Sequence, residues 1–169
     1  KKYKLNFYPI GVDIINHKIK DSRIKFIRKE AVDYLKNTKN YFDLIIFKQS
    51  IHFFSKQKIK QIINISKKAL NKNGKIIICT LNVSDISIPT FSLFKTELYK
   101  SLKKDKTNIN LLKKLLKNYK IKTFKFKVEI NKEDYIRMLK KRYISCLLKF
   151  SKKEIQIGVN EIRKKYRKK

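Results

Sequence analysis

Over residues 8–81, apolar residues come in short unbroken runs separated by polar stretches with helical spacing. "YPIGVDII" (8–15) and "FDLIIFK" (42–48) are runs typical of strands covered on both faces, and "RIKFIR" (23–28) alternates as a half-buried strand does. "EAVDYLKN" (30–37) predicts a short helix. In "SKQKIKQIINISKKALN", Ile59, Ile62, Ile63, Ala69 and Leu70 share one helical face, with Ser55 placed as its N-cap. "NKNGKIIICTL" then closes that helix, Asn73 and Gly74 being suited to left-handed backbone, and enters a strand with four consecutive apolar residues at 76–79. Strand, helix and strand repeated in this order predict βαβ units. The fold class expected is α/β, with a Rossmann-like open, mostly parallel sheet and flanking helices.

Beyond residue 83 the period changes. Phe91, Phe94, Leu98 and Leu102 form one helical stripe, and Leu111, Leu112, Leu115, Leu116 and Tyr119 form another after Asn108, which predicts two helices. "KTFKFKVEI" (122–130) sets Thr123 and apolar residues against Lys and Glu, the alternation of a half-exposed strand. Asn131 with Asp134, and Ser151 with Glu154, mark two more helix starts, and Ile155, Val159, Ile162 and Tyr166 line one face of the last. The organisation expected is a single domain, with an α/β core at 1–82 and a helical, cap-like region with one strand at 83–169.

Composition changes this picture little. Leu, Ile, Val and Phe make up 57 of 169 residues, well above the level at which a highly charged chain stays unfolded. The net charge of +32 invites a nucleic-acid reading. However, 39 Lys against 6 Arg, with 26 Ile, 13 Asn and 2 Ala, is the bias of an AT-rich coding sequence, and the lysines are spread over every segment. Specific nucleic-acid binding is not indicated; weak, salt-sensitive polyanion binding is expected. Cys79 and Cys146 have no metal or redox spacing and sit in apolar company as buried free thiols do, which suits a reducing, cytoplasmic setting. No run approaches a membrane span, and no metal pattern is present.

In open α/β sheets ligands bind beyond the carboxyl ends of the strands, where loops diverge. "FDLIIF" gives way there to Lys48, Gln49, Ser50 and His52, and "IGV" to Asp13. "IGVDI", "FIRKEAVDYL", "YFDLIIFKQSIHFF" and "ALNKNGKIIICTL", in that order, resemble the core of class I S-adenosylmethionine-dependent methyltransferases of the type 11 group, over about residues 9–82. "NKEDYIRMLKKRYISCLLKFSKKEI" is similar to the helical cap of relatives that methylate small carboxylic acids.

The resemblance implies that S-adenosyl-L-methionine is the cofactor and a small molecule, a carboxylic acid among the options, is the substrate. It implies that Asp13 holds the cofactor ribose and that Glu30 and Ala31 lie beside the adenine. Phe47, Lys48 and Gln49 would line the cofactor, while Ser50, His52 and Phe53 would face the methyl-transfer side. Arg142 and Tyr143 would meet an anionic substrate, since a guanidinium fork pairs with a carboxylate. His52 would act as base only for an acceptor that must lose a proton. Residues 1–8 lack the family's Gly-rich loop, and its last strand would follow Tyr166, so a fragment, inactive by itself, is expected.

Each residue also has a plainer role. Asp13 can cap the turn after its strand, Glu30 can start a helix, and Gln49 with Ser50 can cap a turn. His52 can pack against Ile51, Phe53 and Phe54. The competing functions are a nucleic-acid methyltransferase or binding module and a non-catalytic Rossmann-like scaffold.

Overall fold

The structure, a computed structural model, describes residues 7, 9–16, 21–81, 88–125 and 127–166. The chain is mixed α/β and divides into two compact units, Lys1–Thr80 and Leu81–Lys169.

In the amino unit, β1 (Ile10–Asp13) pairs in parallel with β2 (Lys25–Arg28), in register from Ile10 opposite Lys25 to Asp13 opposite Arg28. The described residues between them form no helix, and 17–20 lie outside the described residues. α1 (Ala31–Asn37) follows, and then β3 (Phe42–Lys48), a 3₁₀ turn at Ile51–Phe53, α2 (Lys56–Lys68) and β4 (Leu70–Cys79), which runs parallel to β3. No ladder among the described residues joins the first pair to the second.

Ser55 caps α2 by accepting from the Lys58 amide at 3.2 Å. The helix buries Ile59, Ile62 and Ile63, while α1 buries Val32 and Leu35. The two helices pack together, α1 against β1 and α2 against β4.

The expected left-handed exit from α2 is not found. No glycine has positive φ, and β4 begins two residues after the helix. Phe42 pairs with Leu70 but Leu44 with Lys75, so residues 71–74 are absorbed in a bulge. Gly74 is needed there for close approach: a Cβ would lie 2.8 Å from the Phe42 carbonyl oxygen. Asp43 braces the bulge by accepting from Asn71 Nδ2 at 2.8 Å.

β3 and β4 are covered on one face rather than two. Ile45, Phe47, Ile76 and Ile78 are buried or half-buried, but Leu44, Ile46 and Ile77 on the other face are 45%, 54% and 43% exposed. The unit's described helices lie against each other, and so supply one layer of cover. Cys79 shares the open side and is exposed, against the expectation of a buried thiol; Cys146 is buried, and burial raises its pKa.

The carboxyl unit is built on α3 (Ser92–Leu115), α4 (Lys132–Lys140) and α5 (Lys152–Lys165), with a 3₁₀ turn at Ser145–Lys149. α3 is one helix where two were expected. Its stripes before and after Asn108 are in phase at 100° per residue, so Phe94, Leu98, Asn108 and Leu112 all bury on one side. The core gathers Phe91, Phe94 and Leu98 with Tyr135, Ile136, Leu139, Leu147, Phe150, Ile155, Val159 and Ile162. Phe91 stands 5.6 Å from Phe94 and 5.9 Å from Phe150, ring centre to ring centre. Gly158 on α5 is where Phe91 fits: a Cβ there would lie 2.5 Å from ring carbons.

Caps complete the unit. Asn131 caps α4, and Ser151 with Glu154 forms a reciprocal capping box on α5. α3 has no cap of its own; Glu161 of α5 accepts from the Ser92 amide at 2.9 Å and from its hydroxyl at 2.8 Å. The strand expected at 122–130 is absent among its described residues, which form no ladder and leave Phe124 and Val128 largely exposed. Alternation makes a strand only where an edge is free to pair with it, and this unit's described residues contain no sheet.

Candidate functional site

Two groups of expected site residues stand at strand carboxyl ends. The first surrounds the end of the β1–β2 pair. The Lys29 amide donates to the Asp13 carbonyl at 3.0 Å, which holds Asp13 and Glu30 on neighbouring strand exits. Asp13 Oδ1 accepts from the Ile15 amide at 3.0 Å, so this carboxylate does cap the turn that follows it. Arg28 adds a bond from Nε to the Ile14 carbonyl at 3.2 Å.

Glu30 caps α1. Its Oε2 accepts from the amides of Val32 (2.8 Å) and Asp33 (3.1 Å), while Oε1 meets Lys58 Nζ at 3.6 Å. A carboxylate suits both the free amides and the positive end of the helix dipole. Ala31, half-buried, is the first helical residue. Lys58 was not among the expected residues; its signal was its place in the first turn after the Ser55 cap, where a cation opposes the dipole and needs an acidic partner.

The second group follows β3. Phe47 is buried and Lys48 is exposed. Gln49 has φ 54°, a left-handed backbone rarely adopted by non-glycine residues, and its amide donates to the Cys79 carbonyl at 2.9 Å. The chain thus swings off the sheet while still tied to the end of β4. Ser50 starts the 3₁₀ turn through its carbonyl, which accepts from the Phe53 amide at 3.0 Å; its hydroxyl makes no cap. His52 is half-buried with its ring 4.0 Å from that of Phe53, tilted by 43°. Phe53 itself is 66% exposed. The packing role expected for His52 beside its aromatic neighbours is realised with Phe53.

A cavity of about 380 Å³ in the amino unit runs past Lys25, Ile27 and Lys29 to Asn37 and Asn40 at the end of α1. None of the expected cofactor residues lines it. No group of three or more His, Cys, Asp or Glu among the described residues could hold a metal, and no helix there is long and apolar enough to cross a membrane.

In the carboxyl unit, Arg142 and Tyr143 terminate α4. The Arg142 amide donates to the Leu139 carbonyl at 2.9 Å and the Tyr143 amide to that of Met138 at 3.2 Å, the paired bonds of a Schellman ending. Arg142 holds its left-handed position with φ 52°. Its Nη2 donates to the Phe150 carbonyl at 2.7 Å. Tyr143 turns its ring toward Tyr135, 6.0 Å away edge to face. Burial raises the pKa of both phenols, and the Tyr135 hydroxyl donates to the Pro89 carbonyl. Tyr143 thus packs on Tyr135 while staying exposed, and the half-buried Arg142 lines a cavity of the carboxyl unit. Compared with family models, curated proteins and solved structures, the chain matches none.

Proposed function

We propose that the protein is a S-adenosylmethionine-dependent methyltransferase acting on a small molecule, with a carboxylic acid as the first substrate class to test. In this reading β1–β2 and β3–β4 are two parts of one Rossmann-like open sheet. The observation that carries it is Gln49: a non-glycine residue in left-handed backbone directly beyond the carboxyl end of a parallel strand, followed by Ser50 and His52. Asp13 and Glu30 stand at the corresponding end of the other pair.

Asp13 holds the cofactor ribose, Glu30 and Ala31 lie at the adenine, and Phe47, Lys48 and Gln49 line the remainder. Ser50, His52 and Phe53 position the acceptor. The cofactor supplies an activated methyl group, so the chain's task is in-line positioning and exclusion of water. His52 takes a proton only from acceptors that must lose one.

A non-catalytic scaffold is the second reading. It is favoured by the present engagement of Asp13 Oδ1 and both Glu30 oxygens in capping and ion pairing. Calorimetric titration of S-adenosylmethionine into the full-length gene product, beside the 169-residue chain, separates the two. Micromolar binding that is lost in Asp13→Ala supports the methyltransferase. A folded full-length protein that does not bind sinks it.

A further inference from the structure

The left-handed residue closing a Schellman ending is usually glycine, because a Cβ crowds the following carbonyl there. Here it is Arg142, with φ 52°. The guanidinium is fixed at one end by the bond from Nη2 to the Phe150 carbonyl, while Nε is buried without a hydrogen-bond partner. An orphaned buried donor on a charged group is costly and calls for an explanation.

Arg142 lines a cavity of about 250 Å³ together with Lys140, Lys152, Ile155 and Gln156. Three cations and a primary amide therefore border one space, and no acidic side chain does. Lys152 is the first residue of α5, so the cavity also lies at the positive end of a 14-residue helix. The nearest carboxylate in sequence, Glu154, is held by the Ser151 amide at 2.8 Å and hydroxyl at 2.7 Å within the capping box.

We propose that this cavity binds the phosphate group of a small phosphorylated ligand. A fixed guanidinium flanked by two lysines suits a tetrahedral dianion better than a monocarboxylate, which would leave the cationic wall under-compensated. Gln156 supplies a neutral donor for a third oxygen, and Ile155 an apolar patch for whatever the phosphate is attached to. The inference concerns the carboxyl unit alone and stands whether or not the protein binds S-adenosylmethionine.

The test is titration of inorganic pyrophosphate, with inorganic phosphate as the weaker probe, into the whole chain at constant ionic strength. Affinity is followed by the thermal midpoint and by amide chemical shifts over residues 140–156. Saturable binding is expected, weakened about tenfold or more in Arg142→Gly and in Lys152→Gln. Arg142→Gly relieves the backbone while removing the guanidinium, and Lys152 is exposed, so one variant covers the other if folding suffers. Lys60→Gln and Lys72→Gln in the amino unit should leave affinity unchanged. Equal weakening by those distant variants, unchanged affinity in both cavity variants, or no saturable binding by the native chain would overturn the proposal in favour of diffuse attraction to the lysine surface.

Discussion

In the carboxyl unit, Phe94, Leu139, Leu147 and Val159 are wholly removed from water; in the amino unit, β3 is as apolar as any of them yet leaves Leu44 and Ile46 about half exposed. The difference lies in what each kind of element needs. A helix satisfies its backbone internally and asks only for one covered stripe, so three helices can enclose a core. A strand needs partners at its edges and cover on its faces, and a parallel pair with one layer of helices has neither in full. The lysines emphasise the contrast, since they coat both units alike and cannot substitute for apolar cover.

The sharpest way to break this comparison is to truncate one residue in each unit. Phe94→Ala should cost about 3–5 kcal/mol in denaturant unfolding, because the vacated space is ringed by packed side chains. Ile46→Ala should cost less than about 1 kcal/mol, since most of its transfer energy is never gained. A cost for Ile46→Ala equal to that for Phe94→Ala would mean that the open face is covered in solution.

Next in size is Gly158→Ala. Alanine is the better helix former by about 1 kcal/mol. The added methyl nevertheless meets the Phe91 ring, which is itself buried, so a net loss of about 1–3 kcal/mol is expected by calorimetry. A gain in stability would show that the core of the carboxyl unit is looser than its burial implies. Ser151→Ala should then cost about 1 kcal/mol through loss of the capping box, read from the same unfolding curves.

The smallest expected effect is on pH. Glu97 accepts from Lys100 and Lys149, each at 2.7 Å, and these cations push its carboxyl down to about 2. The folded value lies below the unfolded one, so the contribution is present above the ordinary carboxylate range and is lost as pH falls through about 2. Glu97→Gln should slightly lower stability in the neutral region, flatten the acid limb and leave stability below about pH 2 unchanged; the effect is small because both ammonium groups face solvent.

How much of this was readable in advance depends on whether the signal was local. α1, β3 and the caps at Ser55, Asn131 and Ser151 match the sequence pattern because period and capping chemistry act within a few residues. The exit from α2 departs from the local pattern because Gly74 answers to a carbonyl on another strand, which no local rule can see. The polarity of Asn108 suggests a boundary, but the stripes on either side of it share one phase and one helix. The strand at 122–130 failed because pairing is a property of two segments. Of the candidate site, the residues at strand ends fell where the pattern put them. The capping roles of Glu30 and Asp13, the bond from Arg142 to Phe150, and the clasp of Glu161 on Ser92 depend on distances across the fold.

The ladderless stretch between α3 and α4 has one more consequence. Its described residues expose Lys122, Lys125 and Lys127 outside any helix or ladder, the kind of segment a trypsin-like protease cuts first. On either side, α3 and the α4–α5 pair are joined by buried side chains and by Glu161 rather than by this piece of chain. The carboxyl unit is therefore a natural two-piece assembly: its covalent thread at 121–130 can be cut, and the halves would remain partners without it.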